Sequence, residues 1–397
     1  MSLFKKVNKE VLVFDIGSKS VAAGLVLLQD KKLPTILRVI RKNLSFDNSV
    51  ENEQVLKQFI DESIVDIAKN ARELPSLRGV FKGAFNQVLF VLRLPWYSSE
   101  NRRVRIKKDE VFTVSGGLID RILDEEEKKF EQTVAKGNTS RFNMGAVMIE
   151  RQPVRVRLNG YDTLNPIQKK TNDLDVSIYM SIAPKSLLKN ARDIVLKHSH
   201  TEGISFHSFP LVFFESIIAL FPQEHNALLI DIGAKDTEIS LLKHGALEKS
   251  AFFPLGWNFV ERKIGESLGT SDDIASSFFR TYQENRLDAT TSNAINQAIE
   301  GFKSDWLSSV HDSLSNVFEG KISSNVIFLA VEPGYSKLFE NFIKDSPELN
   351  KLFGIFRVYG LSDSIIKQAV SFHAGGISDP FIAMSAIFIN KHGSFLS

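Results

Sequence analysis

The sequence predicts an α/β protein of two similar lobes, the first carrying a small α+β insertion. Three observations predict it. At 397 residues the chain exceeds one ordinary domain and suits two. A strand–turn–strand unit occurs twice, half a chain apart. Between the copies, residues 101–181 switch to a strand–helix–strand–strand pattern of their own.

Composition narrows the function classes. With 43% hydrophobic and 24% charged residues, the chain can bury real cores and remain globular in water. Its 31 phenylalanines against 5 methionines point to cores closed by rigid rings. A formal charge of +2 gives no global reason to expect nucleic acid as a partner. The absence of cysteine excludes disulfides, a thiol nucleophile and cysteine-ligated metals, and fits a cytoplasmic location. The opening MSLFKKVNKE lacks the apolar core of a signal peptide. The most apolar stretch, Phe206 to Phe221, contains Glu215 and Pro210, so it reads as a buried element and not a membrane span. No direct membrane anchor is expected; attachment would come through a partner.

The repeat carries the chemistry. Val11 to Leu27 reads VLVFDIGSKSVAAGLVL, and Ala227 to Lys243 reads ALLIDIGAKDTEISLLK. At an ungapped offset of 216 they match at Leu12, Asp15, Ile16, Gly17, Lys19 and Leu25. Unbroken apolar runs suit central strands buried on both faces, and the glycine after Asp-Ile permits a sharp turn. Amides at such a tip, with a Ser or Thr hydroxyl, handle phosphate. The candidate phosphate contacts are Asp15, Gly17, Ser18 and Lys19 in the first copy, and Asp231, Gly233, Lys235 and Thr237 in the second. Asp15, at a strand end, is placed to hold magnesium through water. No residue presents itself as catalytic.

The pair resembles the two phosphate loops of the actin-like ATPase superfamily, and the chain is similar to its FtsA/PilM family. The resemblance implies a two-lobed actin-like (ribonuclease H-like) fold. Its first lobe would span 1–100 and 182–222, an SHS2-type insert 101–181, and a second lobe with a reduced insertion 223–397. The implied cofactor is ATP with magnesium.

The remaining elements follow in order. VLFVLRL, Val88 to Leu94, is a strand ending at Pro95-Trp96. Arg103, Arg105 and Lys107 alternate with apolar residues, as on a strand with one wet face. Gly117 to Gln132 lines up Leu118, Ile119, Ile122, Leu123 and Phe130 as a helical stripe. Strands are expected at 146–150, 154–158 and 174–182, with a hairpin turn at Asn159-Gly160. Asn159-Gly160-Tyr161 and the following Asn165-Pro166 are similar to the FtsA insert. Helices follow over 185–197 and 213–221, with a strand-like link from Gly203. His198, His200 and His207 lack the spacing of a metal site and read as ordinary polar histidines. Trp257 to Leu268 reads as a helix stopped by Gly269. The long helix 293–318 carries a core stripe at 295, 299, 302, 306, 310, 314 and 317, and ends at Gly320. A strand at 326–331 and a helix reaching Ile343 come next. Gly360 ends a further strand, and Asp379-Pro380 opens the closing helix.

Three departures from the nucleotide-binding pattern stand out. A Thr-Gly-Gly-Gly turn that lies against adenosine in those relatives is replaced by Glu332-Pro333-Gly334, where Pro333 removes a donor. In the second phosphate turn Lys235 could neutralise phosphate, but Asp236 would repel it. The helix Ala275 to Arg280 lacks the family's acid. These departures imply a degenerate ATP site and weak or absent ATPase activity. The function implied is an FtsA-like scaffold that self-assembles and recruits division proteins, including the tubulin-like ring protein. The alternative is a PilM-like adaptor for a peptide of a membrane pilus protein. A sugar-kinase-like phosphotransferase is disfavoured, because no general base occurs at a recognisable spacing.

Overall fold

In a computed structural model of the chain, residues 8–44, 49–73, 84–136, 145–201, 203–317, 324–373 and 378–392 are described. They form two compact units, the first running to His225 and resuming over Leu242–Lys249 and from Asp363, the second comprising Asn226–Leu241 and Ser250–Ser362.

The first unit begins with β1 (Asn8–Ile16), which turns back as β2 (Ser20–Gln29); β3 (Thr35–Asn43) continues the antiparallel run. Helix α1 (Ser49–Ala71) precedes β4 (Gln87–Leu92), which lies parallel to β1. Strand alternation divides the sheet's faces. Leu12, Phe14, Ile16, Ala23, Leu25 and Leu27 join the core that also holds Phe59, Ile60 and Ile64 of α1.

The insertion follows as β5 (Ser98–Thr113), α2 (Gly116–Lys136), β6 (Ala146–Leu158), β7 (Tyr161–Asp162) and β8 (Lys170–Pro184), an antiparallel sheet ordered β5-β8-β6-β7. Leu174, Val176, Ile178, Met180 and Ile182, every second residue of β8, share a core with Ile119, Ile122, Leu123 and Phe130 of α2. Where two strands were expected over 146–158 there is one, with register shifts at Met148/Glu150 and Pro153/Arg155. Pro153 has no amide to donate, and the ladder resumes on either side of it. The hairpin at Asn159-Gly160 forms with positive φ at both residues (52° and 86°).

The wet face of β5 proves to be an ion-pair ladder. Arg103 forks onto Asp175 at 2.9 and 2.6 Å, and Arg105 onto Asp173 at 2.8 and 2.5 Å. Arg157 also reaches Asp175, and Arg155 reaches Asp162 at 2.6 Å. These arginines are engaged by neighbouring carboxylates, which supports reading them as a solvated sheet face.

Helix α3 (Lys185–His198), β9 (Gly203–Ser208) and α4 (Phe209–Leu220) return the chain to the first sheet, where β9 lies parallel to β4. The apolar stretch 206–221 is thus an edge strand and a buried helix, and Pro210 sits in the first turn of α4, where a missing amide is harmless.

The second unit opens with β10 (Ala227–Ile232), the start of β11 (Thr237–Lys243) and the end of β12 (Ala246–Phe253), whose joining residues Leu242–Lys249 group with the first unit, followed by α5 (Asn258–Leu268), α6 (Asp272–Gln283) and α7 (Ala289–Val317). Strand β13 (Val326–Val331), helices α8 (Ser336–Lys344) and α9 (Pro347–Phe353), and β14 (Arg357–Gly360) complete it. Gly269, at φ 66°, stops α5 as expected. Ile295, Ile299, Phe302, Trp306, Val310 and Leu314 are all buried, so the stripe on α7 faces the core. Its expected end at Gly320 lies outside the described residues.

The two sheets share one plan. With β15 (Ser371–Phe372) at the edge of the first, their orders are β15-β3-β2-β1-β4-β9 and β12-β11-β10-β13-β14. In each, two parallel strands follow the repeat's first strand on the side away from the turn's return strand.

The closing segment corrects the expected boundary at 223–397. Helix α10 (Asp363–Ile366), β15 (Ser371–Phe372) and α11 (Pro380–His392) group with the first unit. Strand β15 pairs with β3, and a Cβ on Gly24 of β2 would stand 2.5 Å from Ile382 of α11. Sequence order placed this helix with its neighbours in the chain. Its packing is decided by the small residues of β2, on which an apolar helix can lie closely.

Candidate functional site

The site predicted by the repeat is a pair of turns, one in each unit. Both close identically. Gly17 donates its amide to Ser20 O at 3.0 Å, and Gly233 donates to Asp236 O at 2.9 Å, four residues that correspond at the repeat's offset. Both glycine carbonyls then accept from a tryptophan: Gly17 O from Trp96 Nε1 at 2.8 Å, Gly233 O from the Trp257 amide at 3.0 Å.

In the first turn Asp15 is fully buried. Pairing across β1, β2 and β3 aligns Asp15 with Ala22 and Ala22 with Arg41. The three share a face, and the methyl group of Ala22 leaves room for the arginine to cross over it. Arg41 Nη2 reaches Asp15 Oδ2 at 3.0 Å and Asp379 Oδ1 at 3.1 Å; its Nε reaches Asp379 Oδ2 at 2.7 Å, and its Nη1 donates to Ser20 Oγ at 2.6 Å. Asp379 also caps α11, accepting from the amides of Phe381 and Ile382 at 3.1 Å each. A second arginine, Arg93, is buried beside the turn with its guanidinium 3.9 Å from the centre of the Phe381 ring. Ser18 is buried, and Lys19, partly exposed, accepts through its carbonyl from the Leu44 amide at 2.6 Å.

In the second unit Asp231 is buried at the end of β10, and Lys235 stands partly exposed at the tip. Thr237, fully buried, donates its hydroxyl to Leu255 O at 2.6 Å and accepts from Trp306 Nε1 at 3.0 Å, so it ties the turn to α7. The amides of Trp257 and Asn258, leading into α5, donate to Gly233 O and Ala234 O at 3.0 Å each. This close approach needs Gly256, because a Cβ there would stand 2.3 Å from Gly233 O.

Two of the three departures noted in the sequence, the late turn and the helix Ala275 to Arg280, meet at one residue. After Glu332-Pro333-Gly334, Tyr335 is stacked between Trp257 (ring centres 4.8 Å apart) and Phe279 (5.1 Å). Its hydroxyl donates to the buried Glu261 at 2.6 Å. Burial above all, reinforced by the Glu261 charge, pushes the Tyr335 phenol far above its ordinary range, so it stays a donor. The sequence marked Trp257 as a helix start and drew attention to the helix Ala275 to Arg280 and the late turn, but nothing in their spacing announced Tyr335. Arg41 and Arg93 were equally silent, since their roles depend on strand register.

The fold class implies a nucleotide with magnesium, and the residues present do not fit that group. In the first turn the Arg41 guanidinium already occupies the point where Asp15 Oδ2 and Asp379 Oδ1 converge, so those oxygens already hold a cation where magnesium would sit. On the second unit the leading amides of α5 and the Thr237 hydroxyl already have protein partners, and an aromatic stack fills the wall beside the late turn.

The histidines serve other ends. His198 Nε2 lies 2.8 Å from Asp61 Oδ1, and His207 Nδ1 lies 3.1 Å from Glu150 Oε1. Among the described residues no group of three or more His, Cys, Asp or Glu side chains could hold a metal. Glu150 also accepts from the Ser208 amide at 3.1 Å and from the hydroxyls of Ser181 and Ser208, fastening the root of the insertion to β9.

No protein-family model and no curated protein matches this sequence. Solved structures do. A chain of the PilM–PilN type IV pilus biogenesis complex aligns with TM-score 0.63 and 15% identity, over 98% of this chain and 99% of that one. The ethanolamine utilization protein EutJ from Carboxydothermus hydrogenoformans aligns with TM-score 0.43 and 10% identity, over 98% and 91%. A Bacteroides thetaiotaomicron protein described as having an actin-like ATPase fold gives TM-score 0.40 and 10% identity, over 96% and 95%. The chain has the two-lobed actin-like fold.

Proposed function

We propose that this protein is a cytoplasmic actin-like adaptor of the PilM kind, which seats a short peptide of an inner-membrane pilus protein on its first lobe. It acts by binding and not by turnover. The observation that carries this reading is the end-to-end likeness to a chain of the PilM–PilN complex, which leaves almost no part of either chain unmatched. A second feature agrees: α6 and α7 are joined only by residues 284–288, so the second unit has no inserted sheet there. No helix among the described residues is long and apolar enough to cross a membrane, which suits attachment through a partner.

The FtsA-like scaffold is kept as a second reading because of one feature. The segment Asn159-Gly160-Tyr161, whose sequence is similar to the FtsA insert, leaves Tyr161 80% and Leu164 99% exposed at the edge of the insertion. Exposed apolar side chains of this size suit a protein contact.

Affinity capture with tagged protein in its own host separates the two. The adaptor reading predicts recovery of an inner-membrane pilus protein, and binding of a synthetic peptide copied from that protein's cytoplasmic end. Recovery of the tubulin-like division protein with no pilus component would overturn it in favour of the scaffold.

A further inference from the structure

We infer that this protein has replaced the ligand of its fold with its own side chains, so that both turns are held without nucleotide or metal. Arg41 is the resident cation of the first turn, and Tyr335 is the resident ring of the second unit. The inference concerns what holds the turns, whichever partner the protein binds.

The first half rests on charge and register. Asp15 and Asp379 both bond the same guanidinium nitrogen, at 3.0 and 3.1 Å, so the two carboxylates converge on one point. Two converging carboxylates are a donor set that a divalent ion can also use. Here the guanidinium supplies the positive charge, forked onto Asp379 in the geometry that makes such pairs strong. It is held from three directions: Asp15 on β1, reached across Ala22, the Ser20 hydroxyl inside the turn, and Asp379 at the capped end of α11. Because Asp379 both caps that helix and grips Arg41, the turn and α11 are one hydrogen-bonded assembly.

The second half rests on packing. Trp257 opens α5, Phe279 lies on α6, and Tyr335 follows the turn after β13, so the stack joins three elements at the end of the sheet. The Tyr335–Glu261 bond satisfies the one polar atom that a ring there would otherwise bury unpaired.

The test uses the full chain and two titrants, MgATP and MnCl2, read by calorimetry and by thermal unfolding. Wild-type protein is expected to show no binding heat with millimolar MgATP and no change in Tm between manganese and EDTA. Arg41→Ala uncovers the two carboxylates. It is expected to unfold at lower temperature in EDTA and to recover part of the loss in MnCl2, binding manganese at least about tenfold more tightly than wild type. Arg41→Lys keeps the charge and is expected to gain no manganese response. Stoichiometric MgATP binding by wild type, a manganese-stabilised wild type, or an Arg41→Ala protein indifferent to manganese would each overturn the inference. Should Arg41→Ala not fold, the wild-type titrations alone decide. None of these outcomes touches partner capture, so this inference and the adaptor reading can fail separately.

Discussion

At the scale of single residues, the two turns show how much chemistry one position controls. Gly256 is the sharpest case. It stands under the second turn so closely that a methyl group would lie 2.3 Å from one backbone carbonyl and 2.5 Å from the next. Backbone cannot swing aside as a flexible side chain does. Gly256→Ala is therefore expected to destabilise the second unit by about 3 kcal/mol, at the upper end of overpacking effects, read as a lower urea midpoint. Gly334, with open space around its Cβ position, should accept alanine with no comparable loss. The turn glycines and aspartates were legible because Asp-Ile-Gly occurs twice in one chain, each time after an apolar run. Arg41 was not, because only the pairing of β2 with β3 brings it over Ala22 to Asp15.

Among the elements, the insertion is where sequence pattern and observed structure agree most fully. Period-two alternation along β8 and a helical stripe on α2 specify both halves of one small core. The same alternation placed arginines outward, but not their partners, since Asp173 and Asp175 lie about seventy residues further on. Hydrogen bonding to Arg103 holds the Asp175 carboxyl below its ordinary range, Arg105 does the same for Asp173, and Arg155 for Asp162. The sign follows directly. Carboxyls whose affinity for protons falls on folding add stability above their unfolded range, and lose it as pH drops through the folded one. The insertion is expected to keep its full stability at neutral pH and to weaken progressively below about pH 4, with a shallower decline at high salt. The protection factors of the β5–β8 amides, taken against the intrinsic exchange rate at each pH, read this directly; protection that stays flat from neutral pH to pH 3 would contradict it. The merging of two expected strands into β6 was hidden because Pro153 looks like a terminator, whereas here it sits at an irregularity in a continuing ladder.

For the whole molecule, the repeat becomes two sheets of one plan, and half-chain similarity was enough to predict that. It was not enough to place the closing helix. Chain order assigns α11 to the second half, while Gly24, the Asp379 cap and the Phe381 ring tie it to the first. Long-range packing of this kind leaves no local mark, because an apolar helix reads the same whichever sheet receives it. The site divides similarly. Its backbone geometry was visible in DIG and DIG, but the side chains that now serve it come from β3, α6, α7 and the turn after β13.

Both turns are closed from within, by the chain's own amides and side chains. Hydrogen exchange of the amides of Gly17, Gly233, Trp257 and Asn258, followed in the full-length protein with and without MgATP, tests it most directly. All four are expected to be strongly protected in buffer alone and unchanged by nucleotide. Rapid exchange that slows when MgATP is added would show turns awaiting a ligand, and would contradict the account.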